Sequence, residues 1–279
     1  MSKNTQGVLW AILATAFYTI ATAMSKIAVT EFHVLQVLLF RQIAVLLLVL
    51  PTTLKSFPAN LKTDFPKLHG LRLVGAFVAM SCSIWSLAYL PLTTAVVLAF
   101  SRTFFVALLA IFFLGELVGQ RRTFALVVGF IGVLVVTRPG FAEVSAPGVL
   151  IGLIAAMAAA VAVTCTKKLS QTDSPETLLL YQAVFIGFLA GVSMFWFWQT
   201  PDWSSLFLLA GFGVMSTIGQ WIGIVALRLG DASIITGIDY ITIIHAAVLG
   251  YLLFAEIPDI YVVAGAVLIV ISAIVMTRS

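Results

Sequence analysis

The sequence predicts an all-α polytopic membrane protein whose ten transmembrane helices form two inverted five-helix repeats, and three observations carry that prediction. Of 279 residues, 62% are hydrophobic and only 9% charged. A soluble domain averages about 45–50% and 25%, so a water-soluble fold cannot cover this much apolar surface. Ten apolar segments follow one another with short connections, and a bilayer core of about 30 Å needs about 20 apolar residues per helix. The chain also resembles itself at a shift of 140 to 141 residues.

The segments run over 7–29, 33–50, 68–89, 91–114, 122–137, 147–168, 175–198, 204–227, 231–254 and 258–276. The first follows the single early cation Lys3 and lacks a small-residue cleavage signal, so it is expected to stay as a span rather than be removed as a signal peptide. The second stops at Pro51, the third lies between Pro66 and Pro91, and the fourth runs from Pro91 to Gly115 and Glu116. The fifth is short and is expected at an edge. The sixth opens at Pro147 and is alanine-rich from Ala155 to Ala162, which suits tight packing near the repeat interface. Pro175, Pro201 and Pro258 precede or open the seventh, eighth and tenth. All nine prolines fall at or near boundaries, where a missing amide donor matters least, so the helices should be largely unbroken.

Loop cations orient the chain. With a cytoplasmic start, Lys3, Lys55, Lys62, Lys67, Arg72, Arg121, Arg122, Lys167, Lys168, Arg228 and Arg278 lie inside, and only Lys26 and Arg138 outside. The positive-inside bias therefore puts both termini in the cytoplasm. The net charge of +4 is scattered between apolar stretches rather than gathered in a basic stripe, so no nucleic-acid partner is expected. Cys82 and Cys165 lie inside apolar segments without metal-ligand spacing and read as packed thiols.

In the self-match, Gly7-Val8-Leu9 falls on Gly148-Val149-Leu150, Lys26 on Lys167, Leu38-Leu39-Phe40 on Leu179-Leu180-Tyr181, Glu116 on Glu256 and Thr137-Arg138 on Thr277-Arg278. Residues 1–140 and 141–279 are thus two halves. Each holds an odd number of spans, so the second enters the membrane from the opposite side. Both repeats sit in one chain, so a monomer is sufficient for the architecture, and the sequence leaves the oligomeric state open.

Two stretches carry a family resemblance, one from Phe104 to Gly115-Glu116 and one from Ala246 to Ala255-Glu256. Each is an apolar helix ending in Gly-Glu or Ala-Glu. On these, and over nearly its whole length, the chain resembles the drug/metabolite transporter superfamily, specifically proteins with two EamA-type halves, and among them the YddG-type bacterial amino-acid exporters. Thr103 and Ile243 stand where helices of that family often carry proline. The resemblance implies a multi-pass protein of the bacterial inner (plasma) membrane that exports amino acids, aromatic ones included, without a cofactor.

Ionisable groups at membrane depth are costly and mark a pathway or a buried partner. Arg102 is central in the fourth segment and Asp239 lies about a turn from the centre of the ninth, its repeat counterpart, so a salt bridge across the pseudo-twofold axis is expected. Arg41 has no acidic partner in view. The positive charge left over would attract a substrate carboxylate, which a guanidinium grips with two parallel hydrogen bonds. For each arginine the competing reading is snorkelling, or bonding to backbone carbonyls.

Polar and aromatic stripes at helical spacing suggest a water-filled cavity. They comprise Thr15, Thr19, Thr22 and Lys26; Ser81, Trp85 and Tyr89; Ser216, Thr217, Gln220 and Trp221; and Ser233, Thr236, Asp239, Tyr240, Thr242 and His245. The expected substrate-binding set is Tyr18, Ser81, Trp85, Arg102, Gln220, Trp221, Asp239 and Tyr240. Serines and threonines at such places also glue helices together. His245 reads as a proton relay or a packed histidine, and His33 and His69, at segment ends, as interfacial. The spacings Gly148/Gly152, Gly187/Gly191 and Gly219/Gly223 fit close helix approach.

Together these features lead to a secondary transporter exporting neutral amino acids with apolar or aromatic side chains, and related small metabolites, by alternating access through a central cavity. The alternative is a proton-coupled exporter of cationic drugs. Small members of the superfamily use a buried glutamate in their first helix for that, and the first segment here has no acidic residue. A membrane enzyme is not expected, since the chain lacks a zinc His-Glu-x-x-His pattern, a Gly-x-Ser-x-Gly elbow and a phosphate-cradling glycine loop.

Overall fold

The computed structural model describes residues 3–55, 63, 65–102, 104–106, 108–109, 120–137, 145–169, 172–173, 175–229 and 241–277. Among them run ten helices: α1 Lys3–Glu31, α2 Val34–Lys55, α3 Pro66–Ser86, α4 Leu92–Phe100, α5 Gln120–Thr137, α6 Ala146–Leu169, α7 Pro175–Phe197, α8 Trp203–Leu229, α9 Ile241–Phe254 and α10 Ile260–Thr277. Six are long and apolar enough to cross a membrane, and shorter apolar helices form the rest.

Local chemistry sets many of the boundaries. Asp202 Oδ1 accepts the Ser205 N–H at 2.8 Å and Asp259 Oδ1 the Val262 N–H at 2.8 Å, capping α8 and α10. Ser145 Oγ accepts the Gly148 N–H at 3.3 Å at the start of α6. Pro66 stands in the first turn of α3, where no amide donor is needed. Pro51 stands inside α2, four residues before its end, and the helix continues through it to Lys55. So near the helix end the proline forfeits one bond without stopping the helix.

Two predicted helices are not continuous. Helix α3 ends at Ser86, where Leu87 N–H bonds Ile84 O at 3.2 Å and Ala88 N–H bonds Trp85 O at 3.1 Å. This tightened turn takes Tyr89 off the Ser81/Trp85 face. In the fourth segment the Ser101 N–H reaches back to Leu98 O at 2.9 Å, and Phe105 N–H then bonds Ser101 O at 3.2 Å. The step is of 3₁₀ type, immediately before Arg102, and no proline announces it.

The helices pair across the two halves. Helix α1 lies chiefly on α8 and α3 chiefly on α6, while α2 pairs with α7, α4 with α9 and α5 with α10. Exchanging each helix for the one five places further on converts the first contact into the second and returns the other three to themselves. That is the pattern of a pseudo-twofold axis relating two inverted repeats. Glycines permit the closest approaches: a β-carbon on Gly75 would stand 3.1 Å from Ala158 O, and one on Gly219 3.1 Å from Tyr18 N. The tightest crossing, α5 on α10 at Gly132 and Gly265, was not among the expected glycine pairs. One buried cluster, including Ala28, Leu38, Ala76, Ile186 and Leu209, joins α1, α2, α3, α7 and α8. Another, including Val97, Val136 and Ile269, joins α4, α5 and α10.

Because the helices alternate in direction, the α1–α2, α3–α4, α7–α8 and α9–α10 turns share one end of the bundle, here the first end. The α2–α3 and α6–α7 connections lie at the second. Phe195, Trp196, Trp203 and Phe207 project at the first end with 74% or more of their surface open. Such a belt suits a membrane–water boundary.

Candidate functional site

At the first end the halves are held by an ion pair. Lys26, in the last turns of α1, places Nζ 2.5 Å from Glu256 Oε1 and 2.8 Å from Leu90 O. The other oxygen, Glu256 Oε2, accepts the Leu92 N–H at 2.7 Å, so a carboxylate from the second half caps α4, where the helix dipole favours negative charge. The Phe254 ring lies 5.0 Å from the ammonium. Ala255 has φ 53°, a left-handed conformation costing a non-glycine residue roughly 1 kcal/mol. It turns the chain so that the carboxylate folds back over Gly250, whose missing side chain leaves room: a β-carbon there would stand 3.3 Å from Oε2. In the sequence the repeat counterpart of Ala255 is Gly115. The Ala-Glu ending of the second half thus has a structural reason.

Further contacts cross between the halves at the same end. The Gln36 side chain donates to Gln199 O at 2.6 Å and accepts the Gln199 N–H at 3.0 Å. Ser205 Oγ bonds Glu31 Oε2 at 3.2 Å, and His33 stacks on Phe197 with ring centroids 4.1 Å apart.

The second end has its own connection, and here the structure corrects the sequence reading. His69, expected at the interface, is buried, with Nε2 2.7 Å from Asp173 Oδ2 and both side chains 3% exposed. Arg72 bonds Leu178 O at 2.9 Å, and the Tyr181 ring lies 4.8 Å from that of His69. Burial pushes the Asp173 carboxyl up, but hydrogen bonds from His69, Thr63 and Thr172 outweigh it and hold the group below its ordinary 3.8. A lowered carboxyl stabilises the fold above its ordinary value and loses that contribution as the pH falls through the folded value. Asp173→Asn should therefore melt below wild type at neutral pH, with the difference shrinking below about pH 4. Thermal unfolding in detergent across that range checks it, and an unchanged difference at low pH would contradict the assignment.

Between the ends lies a polar layer. Arg41 and Gln42 of α2 both donate to Met80 Sδ of α3, at 3.1 and 3.6 Å. Tyr18 of α1 is 52% exposed. Gly219 of α8 abuts the Tyr18 backbone, where a β-carbon would stand 3.1 Å from Tyr18 N. Trp221 is 65% exposed, and the buried oxygens Gln220 Oε1, Ser81 Oγ and Gln42 Oε1 have no hydrogen-bond partner. The hydroxyls of Thr15, Thr19, Thr22, Ser216 and Thr217 bond carbonyls of their own helices. His245 Nδ1 approaches Thr15 Oγ1 at 3.4 Å. Trp85 lies one residue before the end of α3, nearer the first end. Arg102 is exposed. Asp239 and Tyr240, with Ser233 and Thr236, lie outside the described residues, and so does the expected Arg102–Asp239 pair. Cys165 is buried and Cys82 partly so, both as free thiols.

Residues 5–138 and again 146–278 match the EamA-like transporter family. An S-adenosylmethionine uptake transporter of Rickettsia felis is 30% identical over 95% of this chain and 90% of its own. A pseudopaline exporter, CntI, of Pseudomonas aeruginosa is 28% identical over 98% and 96%. A riboflavin transporter of Vibrio cholerae is 28% identical over 98% and 93%. A solved crystal structure, 18% identical, covers 99% of this chain and 97% of its own with a TM-score of 0.64, a likeness of fold.

Proposed function

Since the chain belongs to the EamA-like transporter family of the drug/metabolite transporter superfamily, and is a membrane transporter of small metabolites, we propose that it exports neutral amino acids with apolar or aromatic side chains and related compounds. The observation that carries this reading is the mid-bundle layer. Tyr18 on α1 and Trp221 on α8 each keep an aromatic face open, and Gln220 Oε1 and Ser81 Oγ are buried oxygens without a hydrogen-bond partner. An apolar side chain would lie on the rings while the oxygens take up its polar head. The S-adenosylmethionine of one relative's name itself carries an α-amino-acid group. In this proposal Tyr18, Ser81, Trp85, Gln220, Trp221 and Tyr240 contact substrate, and Arg102 and Asp239 pair across the axis between halves 1–140 and 141–279. Both termini face the cytoplasm of a bacterial inner membrane, and the contacts at the two ends break in turn as the site is exposed to either side.

Flux from liposomes tests it, over labelled amino acids, nucleosides and organic cations, with and without a pH gradient. Phenylalanine and methionine should move. Trp221→Ala and Gln220→Ala should each lower apparent affinity several-fold, the loss of about 1 kcal/mol from an aromatic contact or hydrogen bond. Movement of organic cations alone, driven by the pH gradient, would replace this reading with that of a cationic-drug exporter.

A further inference from the structure

We propose that Arg41 binds the carboxylate of the transported molecule, so that the substrate class is metabolites with a free carboxyl group. The proposal rests on the transport reading above and narrows it.

A guanidinium keeps its charge at every pH the protein meets, and burying it without an anion is costly. Arg41 lies seven residues into α2, about 10 Å along the helix from its start, and is only 8% exposed. Among the described residues it makes no ion pair, the two that form being Lys26–Glu256 and His69–Asp173. Its hydrogen-bond acceptor is the neutral thioether of Met80, which Gln42 shares. A sulfur is a weak acceptor, and a guanidinium has five N–H donors in a planar fork shaped for a carboxylate.

The surroundings fit an amino-acid head group. Gln42 Oε1 and Ser81 Oγ, which flank the same Met80 contact in space or in sequence, are buried without partners and can accept from an ammonium. Helix α8 fixes the backbone beneath them: a β-carbon on Gly213 would stand 3.0 Å from Phe40 O and 3.5 Å from Arg41 Cα. Tyr18 of α1 is half open. The charge is also not a demand of the fold. At the shift of 141 residues the second repeat carries Gln182 in this place, neutral and equally buried, with Nε2 unbonded.

The test uses wild type and Arg41→Met, both in liposomes and in detergent. The probes are phenylalanine, methionine and S-adenosylmethionine, the carboxamides of the first two, and riboflavin, which has no carboxyl group. Wild type should favour each acid over its amide by about ten-fold or more, the scale of one charge-assisted hydrogen-bond pair. Arg41→Met should lose that preference while melting at or above the wild-type temperature, because methionine fills the space without a charge. Arg41→Lys should restore it only in part, since an ammonium lacks the fork.

A preference that survives in Arg41→Met overturns the proposal. So does a wild type that moves acid and amide alike, although transport itself would then stand. Destabilisation by Arg41→Met that Asp239→Asn repairs would assign Arg41 to a structural pair instead. If nothing moves, melting decides: acids that raise the melting temperature of wild type but not of Arg41→Met keep the assignment and sink the transport reading, and no such rise sinks both.

Discussion

In Lys26→Met, Glu256 is expected to keep the Leu92 N–H as its partner among the described residues, and the melting temperature should fall by several degrees. The pair is 2.5 Å apart with side chains 13% and 20% exposed. Removing one member of a buried pair costs about 3 kcal/mol or more, chiefly the cost of the charge left behind. Glu256→Gln should also lose stability, though less, because an amide oxygen can still accept from Leu92. The double variant should then recover part of the loss, a coupling that additive single effects would refute.

The same pair ties α1 to both the α3–α4 and α9–α10 turns, so breaking it should open the first end. Thr93 is 4% exposed and close to Glu256 across Gly250. A cysteine at this position, with Cys82 and Cys165 replaced by alanine, should react slowly with a membrane-impermeant thiol reagent when Lys26 is present. In Lys26→Met it should react much faster. Equal rates would show that the ion pair braces the fold without controlling access.

Gly265→Leu is expected to leave almost no folded protein. A β-carbon on Gly265 would stand 2.7 Å from Gly132 O and press on Val136, and a β-carbon on Gly132 would stand 3.0 Å from Gly265 O. Backbone meets backbone there, so the strain cannot be relieved by rotating a side chain. The cost should exceed the usual 1–3 kcal/mol of overpacking. Gly70→Ala is the control: nothing lies within 4 Å of the added carbon, and alanine is favoured over glycine within a helix by about 1 kcal/mol. Monodisperse elution from a sizing column in detergent reads both variants. Normal elution of Gly265→Leu would mean that α5 and α10 do not cross at these glycines.

Much of the fold was legible because its signals are local. Residues 147–168 and 204–227 were expected as spans and form Ala146–Leu169 and Trp203–Leu229, since an apolar run, a proline and a capping acid act within a turn or two. The repeat was legible for the same reason: Lys26 with Lys167, and Glu116 with Glu256, kept register. The 3₁₀ step at Ser101 was not, because no proline or glycine marks the break.

The site was legible only as a set of residue types. The sequence by itself determined that the protein spans a membrane with two inverted halves, and that Arg41 is a charge at membrane depth without an evident acid. Only the tertiary structure decided that Lys26 meets Glu256 across 230 positions of the chain, that His69 is buried against Asp173, and that Met80 is what Arg41 touches. Hydropathy and capping depend on neighbours along the chain, so they can be read from it. Which charge meets which depends on how closely two distant helices approach, and that is set by small residues and side-chain shapes on both faces at once.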